Sequence, residues 1–457
     1  LEVAKRKKLR RIFVILPYTN IISQTVAVLR NALVLEGEDP FEVVAEHHHQ
    51  ADFQSFEYRH LATTWSAPII VTTAVQLFET LASNYPAKLR KLHQLPGSCI
   101  VIDESHAVLP PELMSAAWRW LTDLATNWGC YVCLCSGTSF RFWENTVFKK
   151  PKESEVTRIL TNELADSLES FEAKRVTFNV EIEEIPHFRG TTALVEYLER
   201  FKGPRLVVLN TVRNAAYLAK VLKDMGKDVL HLSTALTPKD REKIIEKVKY
   251  KLKHEQNWTL VATSCVECGM DFSFRNGFCE LRSLQSYLQL AGRVNRNGEY
   301  IDSHLNCFTV LEDNFNHNPS FEVAQSVFRK LIEQDEISSN SITDLVSRSF
   351  EMECKLKGGL LESISKADSK RNFADVAKDF RVIADDTVTV VVDPEIIEKI
   401  RSDSITSNRE LQRGSINMSR STLEKLNLEV ESELPHLEED QYDDFLGYMK
   451  GIFANPK

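Results

Sequence analysis

Residues 98–106 read SCIVIDESH, an apolar run that ends in two adjacent carboxylates, Asp103 and Glu104. Such a run is what a strand buried on both faces looks like as it leaves a parallel sheet. The pattern repeats outward from it. IFVIL (12–16), PIIVTT (68–73) and YVCLCSG (131–137) are further short β-rich runs, separated by the helical stretches NIISQTVAVLRNAL (20–33) and PELMSAAWRWLTDLA (111–125). Alternation of this kind predicts an α/β fold with a parallel sheet covered by helices. A polar, charged stretch at 149–175 breaks the pattern, which resumes with PRLVVLNT (204–211), VLHLS (229–233), the basic amphipathic PKDREKIIEKVKYKL (238–252) and TLVATS (259–264).

Four strings carry chemistry, in this order: VIDESH (101–106), SGT (136–138), TSCVECGMD (263–271) and QLAGRVNR (289–296). Each alone is weak, because an Asp-Glu pair ends many strands and Gly-Arg is common in turns. Together they are specific, and they read as a nucleic-acid-stimulated ATPase. Asp103 would serve Mg²⁺ and Glu104 the attacking water. Arg293 and Arg296 stand three apart behind Gln289, a spacing that on a helix puts both on one face toward a single phosphate.

With those strings the chain resembles the superfamily 2 helicases, and more closely the CRISPR-associated helicase of type I interference, the motor recruited by the Cascade surveillance complex. The resemblance extends through 12–33, AEHHHQADF (45–53), VTTAVQLFETLAS (71–83), HLSTALTPKDREKIIEKV (231–248) and FRVIADDTVTVVVD (380–393), the last outside the helicase core. It implies two RecA-like parallel-sheet lobes, residues 1–170 and 171–315, and a C-terminal accessory domain, 316–457. It also implies ATP and Mg²⁺ as cofactors, single-stranded DNA and Cascade as partners, an HD nuclease domain or subunit as companion, and 3′ to 5′ movement on DNA.

Roles follow from the resemblance residue by residue. Asp103, Glu104, His106, Gln289, Arg293 and Arg296 would form the catalytic set, with Asp103 holding Mg²⁺, His106 sensing the γ-phosphate and the arginines acting as fingers. Gly269 and Asp271 would meet the nucleotide. Ser136, Gly137 and Thr138 would couple the nucleotide to DNA; the family's usual Ser-Ala-Thr is here Ser-Gly-Thr. DNA contacts would come from Pro17, Tyr18, Thr19, Thr72, Thr73, Asn210, Thr211, Arg213 and Thr263, whose small polar side chains and neighbouring amides suit phosphate oxygens without reading bases.

A P-loop of the form GxxxxGK[ST] is not among the motifs; the Gly226-Lys227 pair is followed by Asp228. The expectation is a chain cut just after that loop, with LEVAKRKKLRR as the remainder of its helix. Against it stands a pseudo-ATPase or a site completed by another polypeptide. A P-loop strand would be central in a doubly wound sheet, so its loss should leave two neighbouring strands unpaired. Two functions stay open: an ATP-driven DNA translocase, and a nucleotide-incompetent DNA-binding or scaffolding fragment.

Composition sets the frame. The 457 residues suggest about three domains. Their apolar runs are short for a bilayer span, which leads us to expect a cytoplasmic protein. A formal net charge of −9 argues against an overall electrostatic binder of nucleic acid, though a groove can stay locally basic. The nine cysteines include two CxxC pairs, Cys130/Cys133 and Cys265/Cys268, which read as free thiols in core strands rather than a zinc site. Adjacent histidines at 47–49 point in different directions and are not read as joint ligands. The basic run 5–11 reads as a solvated helix face.

Overall fold

The structure is a computed structural model that describes residues 1–48, 51, 55–137, 141–144, 156–179, 185–267, 269–312, 315–334, 342–356, 358–382, 387–402, 404, 408–420, 442–443 and 448–449. The chain falls into two compact units, residues 1–157 with 340–384 and residues 158–339 with 385–457. The stretch from 316 onward is therefore shared between them.

In the first unit β1 (Ile12–Leu16), β2 (Val44–His47), β3 (Ile69–Thr73), β4 (Cys99–Ile102) and β5 (Tyr131–Leu134) form one parallel sheet in the order β2-β3-β1-β4-β5. All five residues of β3 are buried, as a strand covered on both faces requires. Val14 of β1 lies in register with Val71 and Val101, so the apolar runs of the sequence become the sheet's interior. The expectation of two unpaired neighbours is not met: β1, β3 and β4 each bond a strand on both sides, and among the described residues the open edges are those of β2 and β5.

Helix Ile22–Leu33 covers one face through Ile22 and Val26. Helix Ala74–Leu81 starts immediately after β3, with Thr73 Oγ1 accepting from the Gln76 amide at 3.1 Å as its N-cap. Helix Pro111–Asn127 carries the late part of the unit: Arg119 pairs with Asp368, and Trp120 packs on the buried ring of Phe380 with centroids 4.8 Å apart.

The second unit holds a larger parallel sheet. Its strands are β6 (Thr177–Asn179), β7 (His187–Phe188), β8 (Arg205–Val208), β9 (Val229–Leu232), β10 (Thr259–Ala262), β11 (Asn276–Glu280) and β12 (His304–Val310), in the order β6-β12-β11-β8-β10-β9 with β7 also on β12. Helices Val212–Asp224, Pro238–His254 and Leu284–Ala291 are N-capped by Thr211, Thr237 and Ser283. The core between sheet and helices is aliphatic and aromatic, with Val207, Val261, Phe278 and Phe308 fully buried. A two-stranded antiparallel ribbon, β13 (Thr387–Val391) with β14 (Ser415–Ser419), belongs to this unit and docks through Lys239 onto Asp393 and Glu395 and through Glu242 onto Arg413.

No described helix is long and apolar enough to cross a membrane.

Candidate functional site

In a parallel sheet, loops at the carboxyl ends of the strands share one edge, where open α/β sheets bind ligands. In the first unit that edge carries Pro17, Tyr18 and Thr19 after β1, Thr72 and Thr73 closing β3, Asp103 after β4 and Ser136 after β5. Strand order brings VIDESH between the ends of β1 and β5. Asp103 N donates to Ile15 O at 2.9 Å, Cys135 N to Ile102 O at 2.8 Å, and Ser105 N to Cys135 O at 2.9 Å.

From there the chain turns sharply. Glu104 takes a left-handed backbone with φ of 46°, a conformation that costs a bulky L-residue on the order of 1 kcal/mol and is found where a site over-determines it. The Asp103 carboxylate accepts from the Glu104 amide at 3.0 Å. Glu104 remains 26% exposed at its side chain, with Oε2 3.5 Å from His106 Nδ1. His106 is buried, and Nδ1 shares a 2.5 Å hydrogen bond with Ser136 Oγ. Burial pulls the imidazole down to about 4, so the ring is neutral at neutral pH and its contact with Glu104 is no ion pair. Asp103, Glu104, His106 and Ser136 therefore stand as one group. Gly137 is exposed, and a Cβ there would meet nothing within 4 Å. Thr138 lies outside the described residues.

The DNA candidates of this unit divide by exposure. Tyr18 is 41% exposed, with Pro17 and Thr19 half-buried. Thr72 is fully buried and its hydroxyl donates to His47 O at 2.6 Å; the Thr73 hydroxyl is taken by the helix cap. His47 itself accepts from Trp65 Nε1 at 3.0 Å and is pulled down to about 3, chiefly by burial.

The second unit has its own acceptor edge. Asn210 donates from Nδ2 to Leu281 O at 3.0 Å, and its amide donates to Glu280 Oε2 at 2.8 Å. Thr211 caps its helix, and Thr263 is buried with its hydroxyl on Cys265 Sγ at 3.6 Å. Arg213 has a buried Nε without a hydrogen-bond partner among the described residues.

The arginine string departs from the helical expectation. Helix Leu284–Ala291 ends before Arg293, and Asn295, with φ of 46°, turns the chain between the two arginines. Arg293 is buried and donates to Val266 O at 3.2 Å and Glu267 O at 2.9 Å, so it holds the 263–271 loop by its backbone. Arg296 is 43% exposed, with Nε 3.5 Å from Asp271 Oδ1. The two guanidinium groups do not share a face. A glycine after the helix and an Asn suited to left-handed backbone close the turn, and Asn295 Nδ2 locks it on Arg175 O at 2.8 Å and Tyr300 O at 2.7 Å. Gly269 has φ of 75°, a left-handed backbone that glycine adopts at no steric cost. Gln289 is half-buried on its helix.

Sequence reading missed Glu267. Its carboxyl is buried 4.0 Å from Arg282 Nη1 and beside Arg293, and burial pushes it up to about 7 against the pull of both arginines. An acidic residue inside an otherwise apolar stretch of TSCVECGMD was the available signal. It also missed Arg175, whose guanidinium donates to Ala291 O at 2.9 Å and to Val294 O.

Thiols come close in pairs, Cys133 with Cys135 at 3.8 Å and Cys279 with Cys307 at 3.9 Å. Among the described residues no group of three or more His, Cys, Asp or Glu is arranged to hold a metal ion. Cys268 and His49 lie outside them.

Residues 202–299 match the family described as CRISPR-associated nuclease/helicase Cas3, C-terminal. The chain is 24% identical over 392 residues to the CRISPR-associated nuclease/helicase Cas3 of Haloferax volcanii, covering 64% of this chain and 41% of that protein. In fold it is similar to T. fusca Cas3 in the crystal structure of Cas3-ATP, with a TM-score of 0.65 at 18% identity over 97% of this chain and 61% of that one. It is likewise similar to a chain of a CRISPR RNA-guided surveillance complex, pre-nicking, with a TM-score of 0.57 at 15% identity over 96% and 60%. The chain thus spans about two-fifths of the curated relative's length. The similarity to these Cas3 structures extends over nearly the whole chain, and its two parallel-sheet lobes are those of that fold.

Proposed function

We propose that this chain is the motor part of a CRISPR type I interference helicase. It would be an ATP-dependent translocase on single-stranded DNA that unwinds target DNA in the cytoplasm after Cascade binding, with an HD nuclease as companion. The observation that carries the reading is the group at the end of β4 and β5: a partly exposed Glu104 in strained backbone, beside a buried neutral His106 bonded to Ser136. The T. fusca relatives solved with AMPPNP, ATP and ADP support ATP as the nucleotide.

The residues fit a Mg²⁺-nucleotide. Magnesium is commonly bound through one or two carboxylates, water and the substrate's own phosphates, and Asp103 offers one half-buried carboxylate at the sheet edge with a single oxygen engaged by the Glu104 amide. Bound there, the ion would neutralise phosphate charge. Glu104 would accept the proton of the hydrolytic water, which needs a side chain both acidic and solvent-reachable. Arg296, the exposed member of its pair, would meet developing charge on the phosphate. Arg293, occupied with two carbonyls, would hold the loop bearing Gly269 and Asp271.

His106 and Ser136 would transmit the nucleotide state to the DNA-facing loops, since a hydrogen bond between two strand ends shifts both when either moves. On the DNA side, Tyr18 offers an exposed ring for a base and the half-buried Arg213 a guanidinium for a phosphate. The buried Thr72 would contribute only by its backbone.

A strand-displacement assay tests the proposal. The protein is the chain extended upstream by a strand and a GxxxxGK[ST] loop, and the substrate a duplex with a single-stranded overhang. ATP-dependent separation, with ATP turnover that rises on adding single-stranded DNA, is the expected result. Turnover indifferent to DNA contradicts it.

A further inference from the structure

Helix Pro238–His254 changes character halfway along. In its first half the charges are answered: Lys239 by Asp393 and Glu395, Lys243 by Asp240, Glu242 by Arg413. From 247 to 254 it reads KVKYKLKH, four lysines without a carboxylate, in a chain whose net charge is −9. Lys251 is engaged by Asp228 and Glu255. Lys247, Lys249 and Lys253 are exposed and have no ion-pair partner among the described residues. Favourable interaction with the helix dipole accounts for cations in the last turn, not for Lys247 and Lys249 before it.

An aromatic sits among them. Tyr250 is 60% exposed, and its ring stacks on His254 with centroids 4.3 Å apart and planes at 25°. At 100° per residue, Lys249, Lys253, Tyr250, His254 and Lys247 occupy one continuous outward arc of about 160°, opposite the buried Val248. The helix runs back against the strands, so this half lies at the amino ends of β9 and β10, where Lys251 reaches Asp228 and the ring of Trp258. The strand-end residues Asn210, Thr211 and Thr263 are at the opposite edge of the same sheet.

We infer that the 247–254 face is a second contact for single-stranded nucleic acid, with the three lysines on successive phosphates and Tyr250 stacking on an unpaired base. Lysine ammonium groups answer a string of phosphates as point charges. An exposed ring offers a base its π-face, which a duplex keeps hidden. An acidic polypeptide would use the lysines and leave the ring idle. The inference goes beyond the motor reading and stands without it, since binding here needs no nucleotide.

The test is fluorescence anisotropy of a labelled oligo-dT titrated with the chain, without nucleotide, over a range of salt. Lys247→Glu/Lys249→Glu/Lys253→Glu, checked for native circular dichroism and melting, should flatten the log-affinity against log-salt slope by about 2, since each single-strand phosphate contact contributes about 0.7. Tyr250→Ala should weaken oligo-dT binding roughly five- to hundredfold, leave binding of heparin, a polyanion without bases, unchanged, and be rescued by Tyr250→Phe. An unchanged salt slope in the triple variant overturns the proposal. So does a triple variant that loses oligo-dT and heparin alike while Tyr250→Ala alters neither, because the face would then serve acidic polymers in general. In the extended, ATP-hydrolysing chain the triple variant should keep its turnover at saturating DNA, which separates this surface from the motor: loss of ATPase in the parent leaves the binding result standing.

Discussion

His106 Nδ1 lies 2.5 Å from Ser136 Oγ, joining the turn after β4 to the end of β5 inside the first sheet's carboxyl edge. The two residues are thirty apart in sequence and meet because β4 and β5 are neighbours in register, Ile102 opposite Leu134. Removing the hydroxyl by Ser136→Ala should cost about 1 kcal/mol of stability, the usual worth of one buried hydrogen bond. In the extended chain it should leave ATP turnover within about threefold while strand displacement falls much further. Urea unfolding and a paired ATPase and displacement assay measure the two effects; equal loss of both activities removes the coupling role.

Acid should expose the burial of His106. Its folded value is about 4 against 6.5 for the free side chain, so between those limits the unfolded chain takes up a proton that the folded chain does not. Stability is present in full above about 6.5 and is lost as pH falls toward 4. His106→Asn has no such proton to bind. The stability difference between parent and variant should therefore shrink by roughly 2 kcal/mol from pH 7 to pH 4.5, read from urea midpoints at each pH. His47, pulled down to about 3, acts in the same direction in both proteins and cancels.

Glu267 should give the opposite sign. Its folded value is about 7 against 4.5 when unfolded, so on raising the pH the unfolded chain releases its proton first and the folded state loses stability between about 4.5 and 7. Glu267→Gln keeps the shape and escapes the penalty. Relative to the parent it should gain roughly 2 to 3 kcal/mol on going from pH 5 to pH 8. A pH-independent difference would mean that Arg282 and Arg293 hold the carboxylate fully ionised.

The two arginines of QLAGRVNR should separate. Arg293→Ala deletes two buried hydrogen bonds to Val266 O and Glu267 O and should lower stability by about 2 to 3 kcal/mol. Arg296→Ala, at an exposed position, should melt within about 0.5 kcal/mol of the parent, yet cut ATP turnover by roughly 10³ or more as a phosphate-facing finger would. Thermal melts beside turnover decide it; a destabilised Arg296→Ala with normal turnover would reverse the roles.

The α/β class, the runs that form β1, β3, β4, β5, β8, β9 and β10, and the position of VIDESH at a strand end were legible from apolar runs alternating with helical stretches; β2, β7 and β11 were not. The contact of His106 with Glu104 and Ser136 was not: it follows from β4 and β5 being neighbours, which carries their end residues to one edge. Other features were out of reach. A three-residue arginine spacing reads as one helix face, but Asn295 in left-handed backbone turned Arg293 inward and Arg296 outward. Hydroxyls at strand ends read as phosphate ligands, yet the residue that ends a strand often begins the next helix, and Thr73 and Thr211 are spent as N-caps. Glu267 is an ordinary glutamate in sequence; only the fold puts it between two arginines and out of water. Nor does sequence order say that helices Ile342–Leu356 and Gly358–Ser369 pack on Pro111–Asn127, more than 200 residues earlier.

If Glu104 is the base of an ATP-hydrolysing motor, Glu104→Gln in the extended chain should suppress the chemistry and spare the binding. The amide keeps the size and much of the hydrogen bonding of the side chain and removes its charge and basicity. Steady-state ATP hydrolysis at saturating single-stranded DNA should fall by roughly 10² or more, while anisotropy shows DNA affinity unchanged. Hydrolysis within about threefold of the parent would mean that VIDESH is a strand end and nothing else.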